Sequence, residues 1–385
     1  MTNSETTTGR MDGDYDLPSG GVLRPPAGMP GIEIAGTLTS RDSGTVEGSL
    51  TCRDIRIDGG TLTVRGSVAA TGRISLTRAR LEVHGNLKSG SLNGDKAVAV
   101  HGNLESGEVD IGGHVEVSGT TKAERFEVGG AADLRGAVDL TTLDVGGRVT
   151  IGGGTVRRSI EVGGKFETTA PLTFGSLEIG GMGRLRGSVQ GESVEVGGMI
   201  DCDGDCVATR STEVGGRIRV TGALRSARIE IGGFLSAGSV QCEDLEVGGV
   251  TEVAGAVAAR RLEVGGRLSA ERVVATDRVE VGDEIRTTAG VKADTLRVGD
   301  RSTVRGPIVA REVTIGDRAV VEDVWAGRLR LESRAQANNI YCEDIEADPR
   351  VEVHGQTQYI RSLRGEGARF AQPPQRVTQL PPAPL

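Results

Sequence analysis

The segment Leu262-Glu263-Val264-Gly265-Gly266 returns, in variants, along most of a chain of 385 residues. The first glycine of each copy falls at Gly112, Gly129, Gly146, Gly163, Gly180, Gly197, Gly215, Gly232, Gly248, Gly265, Gly282, Gly299 and Gly316. The step is 17 residues, with one step of 18 and one of 16. A unit this short cannot bury an apolar face of its own. A chain built from such units must stack them and share one continuous core.

Set out as rows that begin after this glycine, the apolar residues form columns near positions 3, 5, 9, 14 and 16. The row from Lys96 supplies Val98, Val100, Leu104, Val109 and Ile111, and the row from Gly130 supplies Leu134, Val138, Leu143 and Val145. Positions 3 and 5, and again 14 and 16, alternate as strands do. Valine and isoleucine favour strands, and helical spacing persists nowhere. The expected fold is all-β: a single long parallel β-helix over residues 31–365. Weaker rows carry it to Ile32, Ile34 and Leu38 at one end and to Val351, Val353, Ile360 and Leu363 at the other. That makes 19 to 20 rows and, at about 4.8 Å per row, a rod roughly 90 Å long. The intervals between columns fit a right-handed coil better than the hexapeptide period of left-handed ones. The Gly-Gly pair is expected to turn a corner with positive φ. Its second glycine becomes Asp283, Asp300 and Asp317 in late rows, and aspartate is among the few other residues that tolerate that region.

Composition agrees with a narrow, repetitive interior: 60 glycines, and aromatics at only 2 %. A formal net charge of −8 argues against a nucleic-acid binder, which needs a basic stripe. No apolar run approaches the roughly 20 residues that span a bilayer, and Met1 to Pro30 lacks the pattern of a signal peptide. Five scattered cysteines read as free thiols in a cytoplasmic protein, with membrane association left open. Residues 1–30, and a proline-containing stretch over 366–385, lack apolar period and are expected to be disordered.

The corner motifs Phe126-Glu127-Val128-Gly129-Gly130, Val194-Glu195-Val196-Gly197-Gly198 and Leu245-Glu246-Val247-Gly248-Gly249, recurring at close to 17-residue spacing, resemble the bactofilins. These are polymer-forming cytoskeletal proteins. The resemblance covers roughly residues 31–365. It implies right-handed β-helices that stack end to end into filaments without nucleotide, and a scaffolding role in cell shape or protein positioning. It implies the chain itself as the main partner, with other cytoskeletal or cell-envelope proteins meeting the tails. This chain is much longer than a typical member. Fused units would account for that, with Asp201 to Asp205 as one junction.

An uncapped β-helix presents unpaired backbone and an open apolar cross-section at each end. Ile32, Ile34 and Leu38 at one end, and Val351, Val353, Ile360, Leu363 and Phe370 at the other, are the expected assembly residues. The alternative is a rod that does not polymerise and serves as a spacer or protein-binding scaffold. One outward column is acidic for eleven consecutive rows: Asp110, Glu127, Asp144, Glu161, Glu178, Glu195, Glu213, Glu230, Glu246, Glu263 and Glu280. It reads either as a solvated face or as a stripe for cations or a basic partner.

Catalytic constellations are weak. Cys202-Asp203-Gly204-Asp205-Cys206 has no second pair to complete a zinc site. His84 and His101 share a column on adjacent rows but make only two ligands, and His114 lies in another column. The rows are too uniform for the long loops of a polysaccharide-acting β-helix. The expectation is no enzyme, no cofactor and no metal.

Overall fold

The computed structural model describes residues Glu5–Pro384. They form no helix; parallel strands stack into a β-solenoid of about 22 turns at about 17 residues per turn. One turn shows how the sequence makes it. His114–Val117 is a short strand with Val115 and Val117 buried, and Thr121–Val128 is a longer one. Within the longer strand Thr121, Ala123, Phe126 and Val128 face inward, while Glu124 and Arg125 are both exposed. Two outward residues in succession break the two-residue alternation, which marks the bend that redirects the chain. Each strand then pairs in parallel with its counterpart 17 residues on.

This register makes the sequence columns into physical ladders. Val109, Phe126, Leu143, Ile160 and Leu177 are successive partners, and so are Ile229, Leu245, Leu262, Val279 and Leu296. All ten are at most 2 % exposed. Removing such side chains from water contributes about 1.5–3 kcal/mol each. Bulk is balanced between rows: Phe166 is stacked on Gly183, and the Phe174 ring fills the space where a Cβ on Gly191 would sit.

The tails depart from expectation. Glu5–Thr7 pairs with Val22–Arg24, Arg10–Met11 and Tyr15–Leu17 both pair with Gly31–Ser40, and Val22–Arg24 pairs with Gly44–Val46. Residues 5–24 therefore belong to the solenoid and not to a disordered tail. Leu17 and Leu23, at most 3 % exposed, anchor them, and two core residues among so many polar ones leave little periodic signal. At the other end Arg369–Phe370 pairs with Glu352–Val353, and Gln375–Arg376 with Gln358–Tyr359. These additional turns raise the row count above the 19 to 20 legible from the columns.

The corners also differ from expectation. No glycine of the corner pairs from Gly112-Gly113 to Gly265-Gly266 has positive φ, although Gly153 and Gly154, away from those corners, do, at 88 and 118°. The row-to-row ladder runs straight through them: Gly146 N–H donates to Val128 O at 3.1 Å, and Arg148 N–H to Gly130 O at 3.1 Å. What demands glycine is proximity. A Cβ on Gly147 would lie 2.2 Å from Gly130 O, and one on Gly249 would lie 1.9 Å from Gly233 O. The left-handed conformation appears at corners on either side of this stretch: before it at Gly59, Gly60 and Arg78, with φ of 95, 65 and 54°, and again after it. Arg301, Arg318, Arg334 and Arg350 have φ of 59, 56, 61 and 71°, and Gly367 has 84°. Each is the third residue of a four-residue turn closed by a backbone hydrogen bond, such as Ala319 N–H to Gly316 O at 3.2 Å and Ala335 N–H to Glu332 O at 3.0 Å. Asp300 and Asp317 precede the strained residue and do not carry the strain themselves.

The chain divides into two compact units, one ending at Glu195 and the other beginning at Val196. The irregular segment Asp201 to Asp205 lies just inside the second. There Met199–Cys202 and Cys206–Val214 flank a short loop, and both cysteines are buried.

Candidate functional site

The expected assembly residues are not equivalent. Ile32, Ile34 and Leu38 are 2 %, 1 % and 0 % exposed, because Arg10–Met11 and Tyr15–Leu17 pair along their strand. They lie inside the solenoid, and the strand that begins the described chain is the polar Glu5-Thr6-Thr7. Val351 and Val353 are likewise buried, beneath the turn that contains Arg369–Phe370. Only Ile360, Leu363 and Phe370 are partly exposed, together with Tyr359 and Val377.

The C-terminal row gives these residues their setting. Thr357–Arg364 pairs on one side with Ile340–Ala347 over most of its length. On the other side only Gln358 and Tyr359 meet a strand. The Arg376 guanidinium donates to Ile360 O at 3.0 Å, and beyond it, among the described residues, Arg361–Arg364 has no strand partner on that edge. The edge is thus half open, with Leu363 inward of two exposed arginines.

The acidic column is a true ladder. Asp110, Glu127, Asp144, Glu161 and Glu178 are successive partners in the first unit, whose last residue, Glu195, continues the column in sequence. Glu213, Glu230, Glu246, Glu263 and Glu280 are successive partners in the second, followed by Arg297. Like charges at about 4.8 Å repel by roughly 1 kcal/mol per pair in water, before salt screening. The neighbouring column decides how much of that survives. In the second unit it holds Arg228, Asp244, Arg261 and Arg278. Arg228 pairs with Glu230, Arg278 with Glu280 at 3.0 Å, and Arg261 with Asp244 at 3.1 Å. These charges line one groove with Glu246 and Glu263. In the first unit Arg125 binds Glu127 at 2.7 Å, but the next three residues of that column are Thr142, Ser159 and Ser176. Asp144, Glu161 and Glu178 face them without a cation in that column. Screening, not ion pairing, must offset this part of the ladder.

Two clusters escaped the sequence reading. Glu284 is 8 % exposed and faces three arginines: Arg286 Nε at 2.6 Å, Arg267 Nε at 3.0 Å and Arg305 Nε at 3.6 Å. The Arg286 hydrogen bond, with the charges of Arg286, Arg267 and Arg305, holds its carboxyl below the usual carboxylate range. The 17-residue offsets of Arg267 and the near-column place of Arg286 were the available signal. The second is Glu82, which joins the His84–His101 ladder. The ring centroids are 5.0 Å apart, and Glu82 Oε1 lies 3.6 Å from His84 Nε2 and 3.7 Å from His101 Nε2. Glu82, on the strand Arg80–Val83, stands two residues before His84, a spacing visible in the sequence. His114, as expected, belongs to another column, opposite Ala97 and Ala131.

Cys52, Cys206, Cys242 and Cys342 are free thiols. Burial, with a smaller contribution from Cys202, pushes the Cys206 thiol up to about 12, and burial also raises Cys202. Protonated thiols are poor nucleophiles and poor metal ligands. No helix of the described residues is long and apolar enough to cross a membrane. No family model, curated protein or solved structure matches the chain.

Proposed function

We propose that the chain is a structural scaffold that builds bactofilin-like filaments by end-to-end stacking, with its C-terminal row as one of the two contact surfaces. The observation that carries this reading is the half-open strand Thr357–Arg364, with Ile360, Leu363 and Phe370 partly exposed beside it. A strand edge with unpaired backbone next to apolar surface is a template for another copy. Stacked repeats present extended surfaces for other proteins, which suits a role in cell shape or protein positioning. The reading includes no catalysis.

A second reading has its own support. The strand that opens the described chain, Glu5–Thr7, is polar, and Arg361 and Arg364 stand exposed on the C-terminal edge. Polar end repeats and charged edge strands are how solenoids stay single. On this reading the protein is a non-polymerising rod that displays binding surfaces.

Negative-stain electron microscopy with light scattering separates the two. The parent protein should form end-to-end assemblies, and Leu363→Arg should leave single particles with an unchanged β-sheet spectrum. Single particles of the parent at every salt and protein concentration would leave the display scaffold.

A further inference from the structure

On the outward face that contains Glu82, carboxylates in neighbouring rows are met by guanidinium groups. Arg65 lies 3.6 Å from Glu47, and Arg135 lies 2.6 Å from Glu116. In the rows between, the cations give way to imidazoles. His84 and His101 stack on adjacent rows, and both turn Nε2 toward the same oxygen of Glu82. At 3.6 and 3.7 Å these contacts lie outside hydrogen-bond range. They match another geometry. Three ligands around a tetrahedral ion with bonds of about 2.0–2.1 Å stand about 3.3–3.4 Å apart along each edge. The three ligand atoms here all lie within 4.8 Å of one another, so a small swing of the rings closes the set.

We propose that Glu82, His84 and His101 form a divalent transition-metal site, with solvent in the remaining position. Two imidazoles and one carboxylate suit zinc, nickel or copper and not calcium or magnesium, which take oxygen ligands. The backbone under the site is already fixed. His84 N–H donates to Val64 O and His101 N–H to Val83 O, each at 2.9 Å, and Val83 is the ladder partner of Val100. Glu82 lies on the strand Arg80–Val83, and His84 and His101 directly follow the strands Arg80–Val83 and Ala97–Val100, so their backbone needs little ordering on binding. The side chains are 30 % exposed for Glu82, 48 % for His84 and 49 % for His101, so the open position faces solvent. The buried, protonated Cys206 thiol offers weak competition.

The test is calorimetric titration of the chelator-treated full chain with zinc chloride and, separately, nickel chloride. One ion per chain should bind. His84→Asn, His101→Asn and Glu82→Gln should each weaken binding by at least about tenfold, the order seen when even outer-shell partners of a metal are removed. His354→Asn, which has the same Val and Gly neighbours but no such cluster, should bind as the parent does. The parent's melting temperature should rise with the ion, and that of His101→Asn should not. No binding by the parent, unchanged affinity in both histidine variants, or equal weakening by His354→Asn would overturn the proposal.

Discussion

Between Gly112 and Gly266 the solenoid turns on a flat pair of glycines; from Gly299 onward it turns on a four-residue loop with a left-handed third residue. The two corners occupy the same place in rows of nearly the same length. They obey different constraints. The flat corner has ordinary φ and no room, because each second glycine lies against the carbonyl oxygen of the row before it. The loop corner has room but unfavourable φ, and arginine occupies it four times. A repeated glycine can therefore mean close backbone approach and nothing about φ, while a residue with no special reputation can carry the backbone strain.

Substitutions at the two corners should give opposite signs. Gly147→Val places a side chain 2.2 Å from Gly130 O in the first unit, and backbone cannot give way as a flexible side chain would. Thermal or denaturant unfolding should show a loss of about 3 kcal/mol or more, at the upper end of overpacking costs. A loss below about 1 kcal/mol would mean that the rows can part locally, and the distinction between the corners would fall.

The row where the corners change carries Glu284, directly after Asp283. Glu284→Gln leaves three arginines without their carboxylate and should cost about 1.5–3 kcal/mol, the range for hydrogen bonds to charged groups. The sign with pH follows from the lowered carboxyl. The unfolded chain binds its proton at the ordinary value of about 4.3, and the folded chain only at lower pH. The stabilisation is thus complete above that ordinary value and lost as pH falls through the lowered one. Urea titrations of parent and variant should converge in acid. A difference that stayed constant down to pH 3 would rule out the charge as its source.

The smallest effect should be a gain. Arg318→Gly removes a left-handed non-glycine residue, whose strain is about 1–2 kcal/mol, and gives back about 0.5–1 kcal/mol through the freer unfolded chain. The net expectation is a stabilisation of about 0.5–1 kcal/mol by differential scanning calorimetry. Its pair with Asp317, at 3.6 Å and well exposed, subtracts little. Destabilisation by Arg318→Gly would show that the arginine side chain, and not the φ, matters at the loop corner.

The same comparison holds for charge. The acidic ladder is legible in the sequence over its whole length, yet its two stretches are different objects. In the second unit Arg228 and Arg278 bind into it, whereas Asp144, Glu161 and Glu178 stand beside threonine and serines. That difference is written two residues upstream of each glutamate. It becomes visible only when register places those residues in one ladder. Glu82 stands two residues before His84, but only stacking brings His101, from the next row, to the same carboxylate. The open-ended reading of Ile32 and Val353 failed because Leu17, Leu23 and Phe370 are too sparse to announce the rows that cover them.

The sequence by itself determined the period, the columns and therefore the stacked β architecture. A side chain every second residue has only two faces to choose from, and 17-residue repetition leaves one way to bury them together. Only the tertiary structure decided where the solenoid begins and ends, why its corners need glycine, and which charges meet. Those properties depend on distances between rows, and residues 17 apart in the chain are neighbours only after the turn between them has been made.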